Sequence, residues 1–157
     1  MQNQTKGNTM IEVIIVIGIV VLLLAVISPV ISSFREKQIL KNTAEEVKVL
    51  LDEARINSVS SKDSNFYSVR FQADRVVFFK GNPPVNLSDP ETKTVTFDSR
   101  INIIPANVVL QGSGTDVVFD RLTGNTSTYG TITLELVSSP STRKIITVNA
   151  LGVVSIN

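Results

Sequence analysis

Cysteine, histidine and tryptophan are absent from this chain of 157 residues. Without cysteine there is no disulfide framework, no thiolate metal site and no cysteine nucleophile. Without histidine there is no imidazole zinc ligand and no neutral-pH general base of the usual kind, and a Ser/His/Asp constellation is impossible. Charge is also scarce, at 18% of residues, and almost balanced, with 15 Lys+Arg against 14 Asp+Glu. A formal net charge of +1 excludes a strongly basic nucleic-acid binder and an acidic solvating tail. The length suits one ordinary domain with an appendage rather than two full domains. There is no Gly-rich phosphate loop, internal repeat or low-complexity stretch. Neither an enzymatic activity nor a cofactor is expected from such a chain.

Apolar residues are plentiful, at 43%, and the mean hydropathy is +0.22. They are concentrated near the N-terminus. From Val13 to Ile27 every residue is apolar or Gly, and residues 10–31 form a run of 22 with a single charge, Glu12. At about 1.5 Å per residue a helix of that length reaches ~33 Å, enough for a ~30 Å hydrocarbon core. Val and Ile dominate, but a lone segment in lipid must satisfy its backbone internally, so helix is the expected form. A buried core helix fits poorly, since no face is polar. A removable secretory signal also fits poorly, because its apolar region is only about 7–15 residues and a small-residue cleavage site should follow. Glu12 allows two readings on physical grounds. A carboxylate inside an apolar span is functional by default, or it reaches the nearby interface along its own stem.

The residues flanking this run carry a resemblance. Lys6-Gly7-Asn8-Thr9-Met10-Ile11-Glu12-Val13 resembles the processing site of type IV prepilins and pseudopilins. The resemblance implies cleavage by a prepilin peptidase between Gly7 and Asn8, and N-methylation of Asn8. It makes Glu12 the conserved-position glutamate of the mature chain and Pro29 the proline that perturbs the helix. Asn8 departs from the Phe or Met usual in the family. A cut there leaves a cationic amine near a buried carboxylate, so Glu12 of one subunit can neutralise the amine of a neighbour. Such a pair in low dielectric contributes register more than stability.

Beyond Ser32 the pattern turns amphipathic. Leu40, Ala44, Val47, Leu51, Ala54 and Ser58 recur at spacings of three and four, one stripe of a helix facing a core. The stretch Ser58–Ser61 ends it, which predicts one long helix over 8–61, bent near Pro29. The remainder reads as strands and turns. Phe66–Phe71 and Arg75–Lys80 form a hairpin through Gln72-Ala73-Asp74, and a polar loop follows at Gly81-Asn82-Pro83-Pro84 and Asp89-Pro90. Short strands are expected at Thr94–Phe97, Ile101–Ile104, Val108–Gln111 and Asp116–Asp120, the last followed by a turn at Leu122–Asn125. An antiparallel meander is expected from Thr131–Val137, Arg143–Val148 and Val153–Ile156, turning at Ser138–Thr142 and Asn149–Gly152.

This arrangement resembles the H-type minor pseudopilins of type II secretion and related minor pilins of type IV pili. Leu51-Asp52-Glu53-Ala54-Arg55 resembles the Leu-x-x-Ala-Arg element late in their helix, and Phe119–Gly124 resembles their Phe-to-Gly turn. Thr131–Leu134, Arg143–Val148 and Gly152–Val154 resemble their last strands. The expected fold class is α+β and pilin-like. It comprises a leader at 1–7, a long helix at 8–61 spanning the membrane at about 10–31, and a β-rich head at 62–157 packed on the second half of the helix. The resemblance implies a single-pass protein of the cytoplasmic (inner) membrane with an extracytoplasmic head, assembling into a pilus or pseudopilus. Arg35, Lys37 and Lys41 follow the span on its outer side, so this orientation rests on the resemblance and not on loop charge. Implied partners are other pilin or pseudopilin subunits, prepilin peptidase, an assembly ATPase, an inner-membrane platform protein and membrane lipid.

The remaining candidates are weaker. Asp116 and Asp120, with Asn125 nearby, are conceivable as a calcium site, but the spacing fits no recognised loop, and ordinary turn and edge charges are the expected reading. Asn86-Leu87-Ser88 and Asn125-Thr126-Ser127 match glycosylation sequons. A nucleic-acid partner is not expected: Arg143 and Lys144 alternate across a strand, the C-terminus has no basic residue, and Arg70, Arg75 and Lys80 fit a solvated hairpin face. Two other functions stay open, a pilin head that binds DNA or another ligand, and an unprocessed single-pass anchor carrying a binding domain.

Overall fold

The structure, a computed structural model, describes residues 9–81, 92–103, 108–112 and 114–157, except for the side chains of 26–30. The chain is α+β. Among the described residues one helix, α1 (Met10–Val59), precedes a 3-10 turn (Lys62–Ser64) and nine strands. The chain divides into two units, Met1–Glu36 and Lys37–Asn157, and α1 contributes to both.

In the first unit, the described side chains from Met10 to Ala25 are all exposed, and apolar apart from Glu12 and Gly18. These sixteen residues are about 24 Å of helix, short of a ~30 Å core. Among the described residues no helix is long and apolar enough to cross a membrane. The span expected over 10–31 is therefore not shown, because it depends on side chains at 26–30 that lie outside the described set. Pro29 is one of these, so the bend expected there also falls outside.

The second unit has two antiparallel sheets. The first has the order β3 (Lys93–Thr96), β2 (Arg75–Lys80), β1 (Tyr67–Phe71), β6 (Asp116–Phe119). The second runs β4 (Ile101–Asn102), β7 (Gly130–Leu136), β8 (Ser139–Val148), β9 (Val154–Ile156), with β5 (Val108–Leu110) also on β7. The two-residue periodicity gives each sheet an inward apolar face: Tyr67, Val69 and Phe71 on β1; Ile132, Leu134 and Leu136 on β7. The predicted helix stripe meets these faces. Leu40, Ala44, Val47, Leu51, Ala54 and Ser58 are each no more than 2% exposed, and the first five join the strands in one core cluster. Ser58 is a polar member of the stripe, and its hydroxyl accepts the Tyr67 backbone N–H at 2.8 Å. Helix and first strand are thus tied where the helix ends, with Ser61 in left-handed conformation at φ 50°.

The meander differs from expectation at one place. The turn occupies Val137-Ser138, and β8 starts at Ser139 instead of after Thr142. Pro140 is tolerated there because the register shifts between Glu135 and Leu136, leaving Pro140–Thr142 without cross-strand partners. The strand at Ile101 is also shorter, ending at Asn102, and Ile104 lies outside the described residues, as do Asn82–Pro84, Asn86 and Asp89-Pro90 of the polar loop.

Candidate functional site

Gly7 and Asn8, the expected processing residues, lie outside the described residues. Glu12 lies within them, exposed in the first turn of α1, where its N–H donates to Thr9 O at 3.0 Å. A negative charge is favourable at that end of a helix. Thr9-Met10-Ile11-Glu12 also has the spacing of a capping box, Thr at the cap and Glu three residues on. Glu12 therefore has a local role available beside the expected assembly role, and the sequence pattern alone carried that signal.

The three body motifs that carried the resemblance meet at Arg55. Leu51 and Ala54 are fully buried, and Arg55 emerges beside them, half-buried. Its side chain runs between Gly124 and Gly152, and its Nε donates to the Leu151 carbonyl at 3.3 Å. Both glycines are left-handed, at φ 67° and 74°. A Cβ on Gly124 would stand 2.5 Å from Val59 Cγ2, and one on Gly152 would fall on the Gly124 carbonyl. Backbone bonds complete the crossing: Leu122 N–H to Ser58 O at 3.0 Å, and Thr126 N–H to Ala150 O at 3.0 Å. The Asn149 carboxamide oxygen accepts from the N–H groups of Leu151 and Val153, fixing the last turn. Sequence separation hid this meeting of a helix end, a mid-chain turn and a C-terminal turn.

Leu122 is the odd residue of the crossing. It has φ 70°, yet it is a leucine and 65% exposed. Left-handed backbone in a bulky residue costs on the order of 1–3 kcal/mol, and no burial of its side chain offsets that cost within this chain.

Asp116 and Asp120 do not form a site together. β6 lies antiparallel to β1 with Asp116 opposite Arg70, and the two make a bidentate pair at 2.7 Å, with the Arg70 guanidinium 5.5 Å from the centre of the Phe79 ring. The hydrogen bonds to Asp116 hold the Arg70 pKa above its ordinary value; partial burial works against them, and the Asp116 charge adds to the rise. Asp120 is exposed in the following turn, where its N–H donates to the Asn125 carbonyl. Among the described residues no group of three acidic side chains is placed to hold a metal ion.

The cations offer no open basic face on the first hairpin. Arg70 pairs with Asp116, Arg75 with Asp74 at 2.7 Å and Lys80 with Asp63 at 3.2 Å. Lys48, Lys93 and Arg100 are ion-paired with Asp52, Glu53 and Asp98. Arg143 and Lys144 alternate on β8, Arg143 exposed opposite Glu135 and Lys144 half-buried opposite Leu134. An open depression of about 400 Å³ lies beside β5 and β7, lined by Val109, Gln111, Tyr129 and Thr131 among others, with no charged group among the described residues that line it. The chain matches no protein-family model, no curated protein and no solved structure.

Proposed function

We propose that this chain is a structural subunit of the type IV prepilin class, a minor pilin or pseudopilin most like the H-type. It is inserted in the cytoplasmic membrane, cut by prepilin peptidase between Gly7 and Asn8, methylated on Asn8, and assembled into a pilus or a type II secretion pseudopilus. The reading is carried by one observation: a Lys6-Gly7 leader, then Glu12 five residues past the Gly, at the head of a 22-residue apolar run. The α+β organisation is compatible with it. The exposed apolar helix of residues 10–25 also requires a cover, which lipid supplies before assembly and neighbouring helices supply afterwards.

In this mechanism the protein performs no chemistry. The assembly ATPase and platform protein lift the subunit from the bilayer, and its apolar helix packs among those of earlier subunits. Glu12 then meets the cationic amine of a neighbour in a water-poor bundle. An unpaired carboxylate there is costly, so only the register that pairs it is retained.

Intact mass and N-terminal sequence of the protein from membranes of cells with a prepilin peptidase test the reading. The expected result is a chain starting at Asn8, about 14 Da heavier than its unmethylated mass. A chain still starting at Met1 or Gln2 sinks it and leaves Glu12 as a cap and interfacial charge on an ordinary anchor.

A further inference from the structure

The second sheet has two faces of different character. Ile132, Leu134, Ile146, Val148 and Val154 point inward and are buried. Residues of the other parity form the outer face. Cross-strand pairing sets Val109, Thr131, Thr147 and Ser155 in one row on that face, across β5, β7, β8 and β9. The Gln111 N–H donates to the Tyr129 carbonyl at 2.9 Å and continues the β5–β7 ladder, so Gln111 and Tyr129 stand beside Val109 and Thr131. Thr133 and Ile145 flank the row on its other side. None of these residues is charged. The first charges along β7 and β8 on that face are Glu135 and Arg143, opposite each other.

The row is open to a ligand. Neighbouring strands lie about 4.8 Å apart, which sets the Thr131, Thr147 and Ser155 hydroxyls at regular steps. Among the described residues, the side chains of Gln111, Tyr129, Thr131, Thr147 and Ser155 make no hydrogen bond within the chain, and each residue is at least partly exposed. At the β5 end Val109 is 63% and Tyr129 36% exposed, and with Gln111 and Thr131 they line the depression of about 400 Å³. Small-molecule sites run from about 300 to 1,000 Å³. A charged ligand finds no counter-charge there, and a wholly apolar one would cover hydroxyls without pairing them. A peptide strand would add at an edge of the sheet through its backbone and leave the row empty. A sugar ring meets each condition: its C–H face packs on Tyr129, and its hydroxyls pair with Gln111 and the row.

We propose that this face binds an uncharged saccharide chain, with one ring on Tyr129 in the depression and the following rings along Thr131, Thr147 and Ser155. The inference goes beyond the filament-subunit reading and needs neither processing at Gly7 nor assembly. Tyr129 supplies most of the affinity by stacking, and the hydroxyls fix the direction in which the chain lies across the strands.

Full-length protein in lauryldimethylamine oxide micelles, a detergent with no sugar headgroup, is titrated with cello-, xylo-, manno- and N-acetylated chito-oligosaccharides and with their monosaccharides. Saturation-transfer NMR reads the contact. The expected result is saturation of ring C–H protons in at least one series, with affinity rising about tenfold from monosaccharide to tetrasaccharide. Tyr129→Ala lowers both affinities about tenfold, and Tyr129→Phe, which keeps the ring, stays within about threefold of the parent. Thr147→Val lowers the tetrasaccharide affinity about threefold and leaves that of the monosaccharide unchanged, a split that a misfolded sheet does not produce. No saturation in any series, or affinities indifferent to Tyr129→Ala, overturns the proposal. A monosaccharide bound as tightly as its tetrasaccharide also overturns it, in favour of a free sugar in the depression alone. The N-terminus of the same preparation bears on the filament reading only: a start at Asn8 or at Met1 leaves the saccharide outcome as it stands.

Discussion

At the residue scale, one substitution separates the assembly role proposed for Glu12 from the capping position it occupies in the sequence. A glutamine serves the capping-box position as a glutamate does, but carries no charge to pair with a neighbour's amine. Glu12→Gln is therefore expected to leave helix content and membrane insertion unchanged and to lower recovery in sheared filaments about tenfold or more. Equal recovery of variant and parent protein would reduce Glu12 to a cap. Asp98 shows residue-scale electrostatics in the head. The Arg100 guanidinium bonds both of its oxygens at 2.8 Å and the Arg100 N–H adds a third bond at 3.0 Å, holding its carboxyl at about 2 instead of 3.8. A carboxylate pKa lowered in the folded state means the charged form favours folding. The stabilisation is therefore present above about pH 4 and is lost as pH falls toward about 2. Asp63 and Asp74, lowered beside Lys80 and Arg75, act in the same direction. Arg100→Ala should return the Asp98 carboxyl toward 3.8 in a carbon-13 titration, and an unmoved titration would disprove the assignment.

At the element scale, the second half of α1 was legible from spacing alone. The residues at steps of three and four from Leu40 to Ser58 are all buried, and Thr43 and Leu50 beside them widen the stripe. The helical period fixes which side chains share a face, whatever the partner is. Leu51→Ala is expected to cost about 2–5 kcal/mol, because a fully buried leucine leaves a cavity in a two-sheet core. Val49→Ala, two positions away on the exposed face, should stay within about 0.5 kcal/mol. Urea denaturation of the detergent-solubilised protein compares them, and similar losses would contradict the burial pattern. Strand positions were mostly legible as well, since β-branched runs between turn residues announce themselves. The β7–β8 turn was misplaced because Pro140 reads as a strand breaker. Only the register shift beside it shows why the strand begins before the proline.

At the scale of the whole molecule, charge balance alone says little, and pairing says more. The net charge of +1 leaves room for a local basic face. Tertiary structure instead sets Arg70 against Asp116 from a strand 46 residues away and Lys93 against Glu53 of the helix. Phosphate binding has to compete with these carboxylates before it releases any counterion. The head together with the second half of α1, residues 35–157, is accordingly expected to show no retention of duplex DNA at about 150 mM salt and only weak retention at about 20 mM. Salt-dependent binding in a gel-shift titration, still present at about 150 mM, would favour the ligand-binding alternative.

Composition and order of residues by themselves determined the class of element at most positions, the buried helix stripe, the absence of imidazole and thiol chemistry, and the apolar run headed by Glu12. All of these are local, set by backbone period and side-chain chemistry within a few residues. Tertiary structure decided which strands lie side by side, that Asp116 belongs to Arg70, and that Arg55, Gly124 and Gly152 share one crossing. The last two join residues 28 to 97 positions apart, and no local periodicity encodes such a pairing. It follows from closing two sheets over one helix face, where the left-handed glycines allow the chain to approach and the core accepts only one arrangement.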